Sequence, residues 1–321
     1  MRQAGRWDPA FLKLRSGREF YEFSESPELA AEASLLPRRF GVDGIILFYD
    51  ITTLAIAMGM QFTLEPDRGP VPASPIHSTA DVAKLSHQPD ADRFGHIIEL
   101  LRLVQRDLNG SLPVLVFASA PFTLASYCIG TGKNVAHTLQ FIAEQPATWS
   151  SLCDKITEAT VTFLNALCRQ GANAYQLFDS WAGALRASDY ERWAHRYHQQ
   201  IFGACRAAPS ILFVRECPYI ELMAESGAAV VSLGLCHQLN DARARFPALT
   251  FQGNVDHDLL AGGTTAQVRE ATEKCLIAGG GRRHVLNLNH GVDRTTPVEN
   301  FVEFVNTARG AGNSRTQGRE P

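Results

Sequence analysis

Cysteine pairing has nowhere to start in this chain. Its seven cysteines stand at 128, 153, 168, 205, 217, 236 and 275, and the closest two, Cys205 and Cys217, are 217 − 205 = 12 positions apart. No CxxC occurs, and an odd, scattered set argues against a disulfide framework and for a reducing, cytoplasmic setting. Charge of one sign is missing too. Thirty Lys+Arg face 33 Asp+Glu, a formal net charge of −3. That balance provides no field to draw in nucleic acid, and none is expected as a partner. Long apolar runs are absent. The opening MRQAGRWDPAFLKLRSGREF has no signal-peptide core, and no stretch approaches the ~20 apolar residues of a membrane span. GxGxxG after an early strand, GxSxG and a Walker A loop are all lacking. Cys236 and His237 are adjacent rather than at ligand spacing, so no metal site is expected.

What is present is apolar mass. The chain has 321 residues, 45% of them hydrophobic, with 18 Phe. That can bury a large core, and the length suits one α/β barrel. Short runs rich in Val, Ile, Leu and Phe recur at 43–48, 113–117, 174–178, 210–214, 228–233, 249–252 and 284–288. Apolar along their length, they read as parallel strands covered on both faces. Amphipathic stretches separate them. Pro27, Pro146 and Pro297 stand at helix starts, Ser188 is a cap, and Gly279–Gly281 is a stop. With one uncertain further strand, this alternation predicts a single (β/α)8 barrel over 1–309, an open doubly wound sheet being the rival. Residues 310–321, GAGNSRTQGREP, read as a disordered polar tail.

Polar residues follow the strand runs: Tyr49 and Asp50, Ser119, Asp179 and Ser180, Gly253 and Asn254, then Asn289, His290 and Gly291. In a barrel these exits converge on one end, where active sites lie. Asp50 has two readings. It caps the segment that follows, or it is a lone carboxylate among Ile46, Phe48 and Ile51, able to stabilise a developing cation in low dielectric. His290 is either bonded to a loop carbonyl or a cleft residue. Tyr127 is a core aromatic with a polar tip, and Gly130 and Gly132 after it permit a close backbone approach. Arg2 and Arg6 bracket Gln3, Ala4 and Gly5. Small residues there let backbone N–H groups and two guanidiniums meet an anion.

MRQAGR, ILFYDI, FASAPFTLASY, LFDSWAGAL, FQGNVD and NLNHGV together resemble the uroporphyrinogen decarboxylase family, in its order, over residues 1 to about 308. The resemblance implies a (β/α)8 barrel, a homodimer with facing clefts, and no cofactor. It implies removal of the carboxyl groups of the four acetate side chains of uroporphyrinogen III, giving coproporphyrinogen III in tetrapyrrole synthesis. It places substrate carboxylates on Arg2, Gln3, Ala4, Gly5 and Arg6. It sets Asp50 beneath the pyrrole N–H groups and puts Tyr127, Ser180 and His290 in the cleft. Arg2 becomes the candidate acid, a poor one at its ordinary pKa.

Three departures stand out. The family has a segment ahead of MRQAGR, so residues upstream of Met1 are expected in the native protein. The acidic residue of the family's Gly-Leu-Asp-Trp-like element is missing from Ser232–Leu235. The EGG-like element reads Ile129, Gly130, Thr131, Gly132. Two other functions compete. A zinc-dependent cobamide methyltransferase of the same superfamily needs a His-x-Cys pair that this chain lacks. A non-catalytic tetrapyrrole-binding relative would lose Asp50 or His290, and both are present.

Overall fold

The computed structural model describes residues 3–65, 68–89 and 91–316. Seven parallel strands form one sheet in the order β1-β4-β5-β6-β7-β8-β9. They are β1 (Ile45–Ile46), β4 (Val114–Ser119), β5 (Ala174–Asp179), β6 (Ser210–Val214), β7 (Val230–Ser232), β8 (Thr250–Gln252) and β9 (His284–Val285). Each neighbour pair is parallel, and helices fill every connection from β4 onward, as crossover geometry requires. The seven runs read from sequence are these seven strands, most of them shorter than the apolar runs.

The sheet curls into a barrel. The Gln252 amide on β8 reaches 3.3 Å to the Gln176 oxygen on β5 and 3.2 Å to Ser232 on β7. β5 and β8 stand three places apart in the sheet, and strands so separated can meet this way only across an interior. Pleat alternation then places Phe117, Ser119, Gln176, Phe178, Phe213 and Ser232 on the inner side, while Leu177, Leu212 and Val231 are buried beneath the helix layer.

No eighth parallel strand pairs with β1 or β9 among the described residues. Part of its work is done by a side chain. Gln3 donates from Nε2 to the Gly44 carbonyl at 3.0 Å and accepts the Ile46 N–H at 3.3 Å. An amide matches a peptide group, so Gln3 satisfies an edge that would otherwise present unpaired donors and acceptors. Trp7 next to it packs on Phe301 of the last helix, ring centroids 4.4 Å apart. The N-terminal segment thereby bridges the seam.

Two features differ from the sequence expectations. An antiparallel hairpin, β2 (Phe62–Glu65) with β3 (Gly69–Pro72), lies outside the main sheet. The last helix, Val298–Thr316, continues through Gly310 instead of giving way to a disordered tail there. Its start is anchored by buried Phe301, Phe304 and Val305, and adding turns to an existing helix carries no nucleation cost. Residues 317–321 of that stretch lie outside the described residues.

Candidate active site

The polar strand exits gather at the carboxyl end of the sheet. Asp50 follows β1 and the short Leu47–Tyr49 extension. β1 leaves the ladder early because the Tyr49 hydroxyl takes over. It accepts the Phe117 N–H at 2.6 Å and donates to the Phe117 carbonyl. Asp50 then turns the chain. Its Oδ1 accepts the Thr52 N–H at 2.9 Å and the Thr52 hydroxyl. The capping reading is therefore realised, and one oxygen suffices for it. The expected lining differs in part: Phe48 packs away from the mouth, between Phe11, Phe20 and Phe23.

The surroundings of Asp50 are phenolic. The Tyr21 hydroxyl lies 3.3 Å from the Thr52 hydroxyl. Burial, and then the Asp50 charge, push the Tyr21 phenol up. The same two causes, in the same order, raise Tyr127 to about 12. Both rings stay neutral near pH 7 and keep their O–H donors. Glu25 is also held above the usual carboxylate range, by burial first and Asp50 second. Asp50, Tyr21, Glu25 and Tyr127 thus share one electrostatic environment.

Tyr127 rides on the helix Pro121–Cys128, which starts directly after β4 and is buried along its length. The segment that follows the hairpin holds the end of that helix: the Ile76 N–H donates to the Cys128 carbonyl at 3.0 Å. The altered Gly130–Gly132 element keeps its backbone purpose. Gly130 has φ +82° and packs on Pro72 and Pro75, while a Cβ on Gly132 would sit 3.6 Å from the Tyr127 ring. Ser180 is half-buried after β5, and its neighbour Trp181 lies 6.4 Å, ring to ring, from Tyr127.

Rings line the interior from there to His290. Phe117 meets Phe178 at 5.5 Å, Phe178 meets Phe213 at 5.4 Å, and Phe213 meets His290 at 6.1 Å. Asp50 and Tyr127 stand on one side of the mouth, with His290 toward the other and an apolar floor between.

The corner ahead of β1 is only partly described. Arg2 lies outside the described residues. The Gln3 side chain is committed to the β1 edge, and its carbonyl accepts from the Trp7 indole at 2.8 Å. That leaves no free Gln3 side-chain amide for a substrate, a narrower role than the sequence suggests. Ala4 is buried, Gly5 half-buried and Arg6 exposed.

Three further polar groups stand here, of which the sequence marks only Asp179, as a strand exit. Asp179, at the end of β5, is fully buried against His198, also at 0% exposure, with Oδ2 2.8 Å from Nε2. Its Oδ1 accepts the Thr123 hydroxyl at 2.6 Å, and Thr123 in turn accepts the Trp181 N–H at 3.2 Å. The third is Glu216. It accepts the N–H groups of Leu235 and Cys236 and the Asn289 amide, each at 3.1 Å. Burial works to raise its pKa, but these donors outweigh burial and leave it below the usual carboxylate range. Glu216 supplies a carboxylate to the very loop that lacks the family's acidic residue. The only sequence signal was the position of Asp179 and Glu216 at or just beyond strand ends.

Cys236 and His237 are turned to one carbonyl, that of Cys217, with Sγ at 3.5 Å and Nε2 at 2.8 Å. Burial raises Cys236 to about 11 and Cys217 to about 12. Asp256, His257 and Asp258 cluster at the surface with one oxygen or nitrogen each within 4.8 Å of the others. A concavity lined by Arg206, Ser210, Glu225 and Gly227 opens at the opposite end of the strands. It holds none of the residues above, and barrel chemistry belongs to the carboxyl end.

A parallel α/β barrel with the Asp50 carboxylate, phenols and a histidine around an aromatic-floored mouth defines a barrel-type enzyme. Comparison with known proteins sharpens that class. The family model "Uroporphyrinogen decarboxylase (URO-D)" matches residues 1–311. The uroporphyrinogen decarboxylase of Roseiflexus sp. is 38% identical over 95% of this chain and 92% of its own length. That of Streptomyces coelicolor is 38% identical over 96% and 89%, and that of Thermus thermophilus 36% identical over 95% and 90%. The chain belongs to the uroporphyrinogen decarboxylase family. A methyltransferase from Methanosarcina mazei shares its fold, with TM-score 0.79 at 20% identity, covering 94% of this chain and 91% of that one. No helix among the described residues is long and apolar enough to cross a membrane.

Proposed function

We propose that this protein decarboxylates the four acetate side chains of uroporphyrinogen III to give coproporphyrinogen III, as a cofactor-free carboxy-lyase of tetrapyrrole synthesis. The observation that carries the reading is Asp50 at the barrel mouth, beside two neutral phenols, in a chain matched by the family over residues 1–311.

The chemistry needs an electron sink. Protonating the pyrrole at the ring carbon beside an acetate creates one. The bond to the carboxylate breaks, carbon dioxide leaves, and the pair flows toward the cationic nitrogen. A fixed carboxylate facing the macrocycle N–H groups stabilises that cation without needing to move. Asp50 is suited to this because Thr52 holds its Oδ1 in place. Tyr127, neutral with its pKa near 12, donates a hydrogen bond without adding charge. Ser180 and His290 serve as further polar contacts. The substrate's acid groups go to Arg2, Arg6 and the backbone of Gln3, Ala4 and Gly5, with Arg2 also the candidate proton source. The working form is a cytoplasmic homodimer with facing clefts.

Two outcomes follow. Arg6→Ala raises KM for uroporphyrinogen and lowers kcat/KM, since a charge-assisted fork to a carboxylate contributes about 1.5–3 kcal/mol. Arg6→Lys recovers part of that, because an ammonium cannot make the planar fork. Unchanged steady-state kinetics for the alanine variant would place the corner outside the site. Because the pyrrole is its own sink, turnover of uroporphyrinogen III under anaerobic conditions survives exhaustive dialysis against EDTA. Loss of turnover that zinc restores would overturn the cofactor-free reading.

A further inference from the structure

The corner proposed above holds acid groups on one side only. Arg6 and Gln3 sit at the seam beside β1, whereas a flat macrocycle carries carboxylates around its whole rim. Sheet order places β6 fourth among seven strands, across the barrel from that seam. A cation at the carboxyl end of β6 would meet the opposite rim.

Arg215 is that cation. It follows Val214, the last residue of β6. The ladder continues one step past the strand, as the Arg215 N–H donates to the Asp179 carbonyl at 3.2 Å. Phe213 faces the interior, meeting Phe178 and His290. Pleat alternation directs the side chain two residues on to the same side, which at this height is the mouth. Arg215 is exposed, and among the described residues its guanidinium forms no ion pair or hydrogen bond. Other strand-end charges are already engaged: Asp179 with His198, and Glu216 with three donors.

The backbone that carries Arg215 is held from both sides. A Cβ on Gly183 would fall 1.9 Å from the Arg215 carbonyl oxygen, so the segment after Ser180 lies directly on it. Glu216, the next residue, has φ +45°, a conformation that costs a non-glycine residue energy. Its carboxylate contacts with Leu235, Cys236 and Asn289 compensate and tie the exits of β6, β7 and β9 together. A charged side chain on a fixed base loses less entropy on binding than one on a loose loop. Lys133 and His290 also bear nitrogen near this end of the barrel, but both already take part in other interactions.

We infer that Arg215 is a second carboxylate-binding residue, which takes an acetate or propionate group of the macrocycle on the rim opposite Arg6. This rests on the porphyrinogen decarboxylase reading. Glu216 acts through it, as a positioning residue.

The test is steady-state kinetics with uroporphyrinogen III on wild type, Arg215→Ala and Arg215→Lys, at low and high salt, with thermal unfolding of each. Arg215→Ala raises KM about 10-fold while kcat changes less than about twofold, the signature of lost uniform binding. Arg215→Lys falls between, and the salt dependence of kcat/KM becomes shallower in the alanine variant because one screened attraction is gone. Unfolding temperatures stay together, since the side chain is exposed. An alanine variant with wild-type KM and salt dependence overturns the inference while wild-type turnover leaves the functional reading standing. So does a fall in kcat at constant KM. Absence of turnover by wild type would instead strike the functional reading itself.

Discussion

Asp50→Asn lowers kcat for uroporphyrinogen decarboxylation at least ~100-fold, the scale of removing one preorganised electrostatic group. Asparagine keeps the size and an acceptor oxygen, so it still accepts the Thr52 N–H and hydroxyl that Oδ1 holds now. It loses only the charge. Asp50→Glu loses less, because the charge survives but is displaced by about one methylene. The structure makes this comparison sharper than the sequence could, since capping and charge reside on the same side chain. If capping were the whole role, kcat would stay nearly intact and stability would shift by ~1 kcal/mol or less, since the cap is kept. Thermal unfolding and single-turnover rates measured on one preparation separate the two. The same variant relieves Tyr21, Glu25 and Tyr127 of a neighbouring charge, so their pKa values fall toward the ordinary range.

Asp179→Ala produces the largest loss of stability. It strands two polar partners in a dry interior, the His198 Nε2 at 2.8 Å and the Thr123 hydroxyl at 2.6 Å. Groups left buried and unpaired, together with the small cavity, cost about 3–5 kcal/mol in unfolding free energy. Equilibrium urea unfolding reads this directly. A loss below ~1 kcal/mol would mean that water or a rearranged side chain replaces the carboxylate. Adding His198→Phe to an Asp179→Leu background recovers part of the loss, because an apolar pair leaves fewer orphans than a broken one. The effect reaches the mouth as well. Thr123 holds the Trp181 N–H, and Trp181 adjoins Ser180. Uroporphyrinogen KM therefore rises in Asp179→Ala at temperatures where the variant remains folded.

The strands were legible because parallel strands bury both faces, and seven apolar runs stood out at seven places. Their ends were not. At β1 the Tyr49 hydroxyl, a tertiary partner, replaces the ladder, and no local pattern announces that. The hairpin went unread because its second strand, Gly69–Pro72, carries a glycine and two prolines where strands usually carry branched residues. The pairing of Gln3 with the β1 edge could not be anticipated either, since the two meet across 43 positions of chain. At the candidate site, Asp50, Tyr127, Ser180 and His290 were named from motif and strand-end position. Glu216 and His198 were missed because each acts through a distant partner, and a single acidic residue or helical histidine has no pattern of its own.

The central claim is that this barrel removes carboxyl groups using the substrate's own pyrrole. Carbon dioxide released per uroporphyrinogen III consumed, measured anaerobically on the purified chain without added cofactor, tests it most directly. The account predicts four equivalents at completion, with coproporphyrinogen III as the final product and seven-, six- and five-carboxyl species passing through in order. Binding of uroporphyrinogen with no carbon dioxide released, or release that begins only when a metal or organic cofactor is supplied, would contradict it.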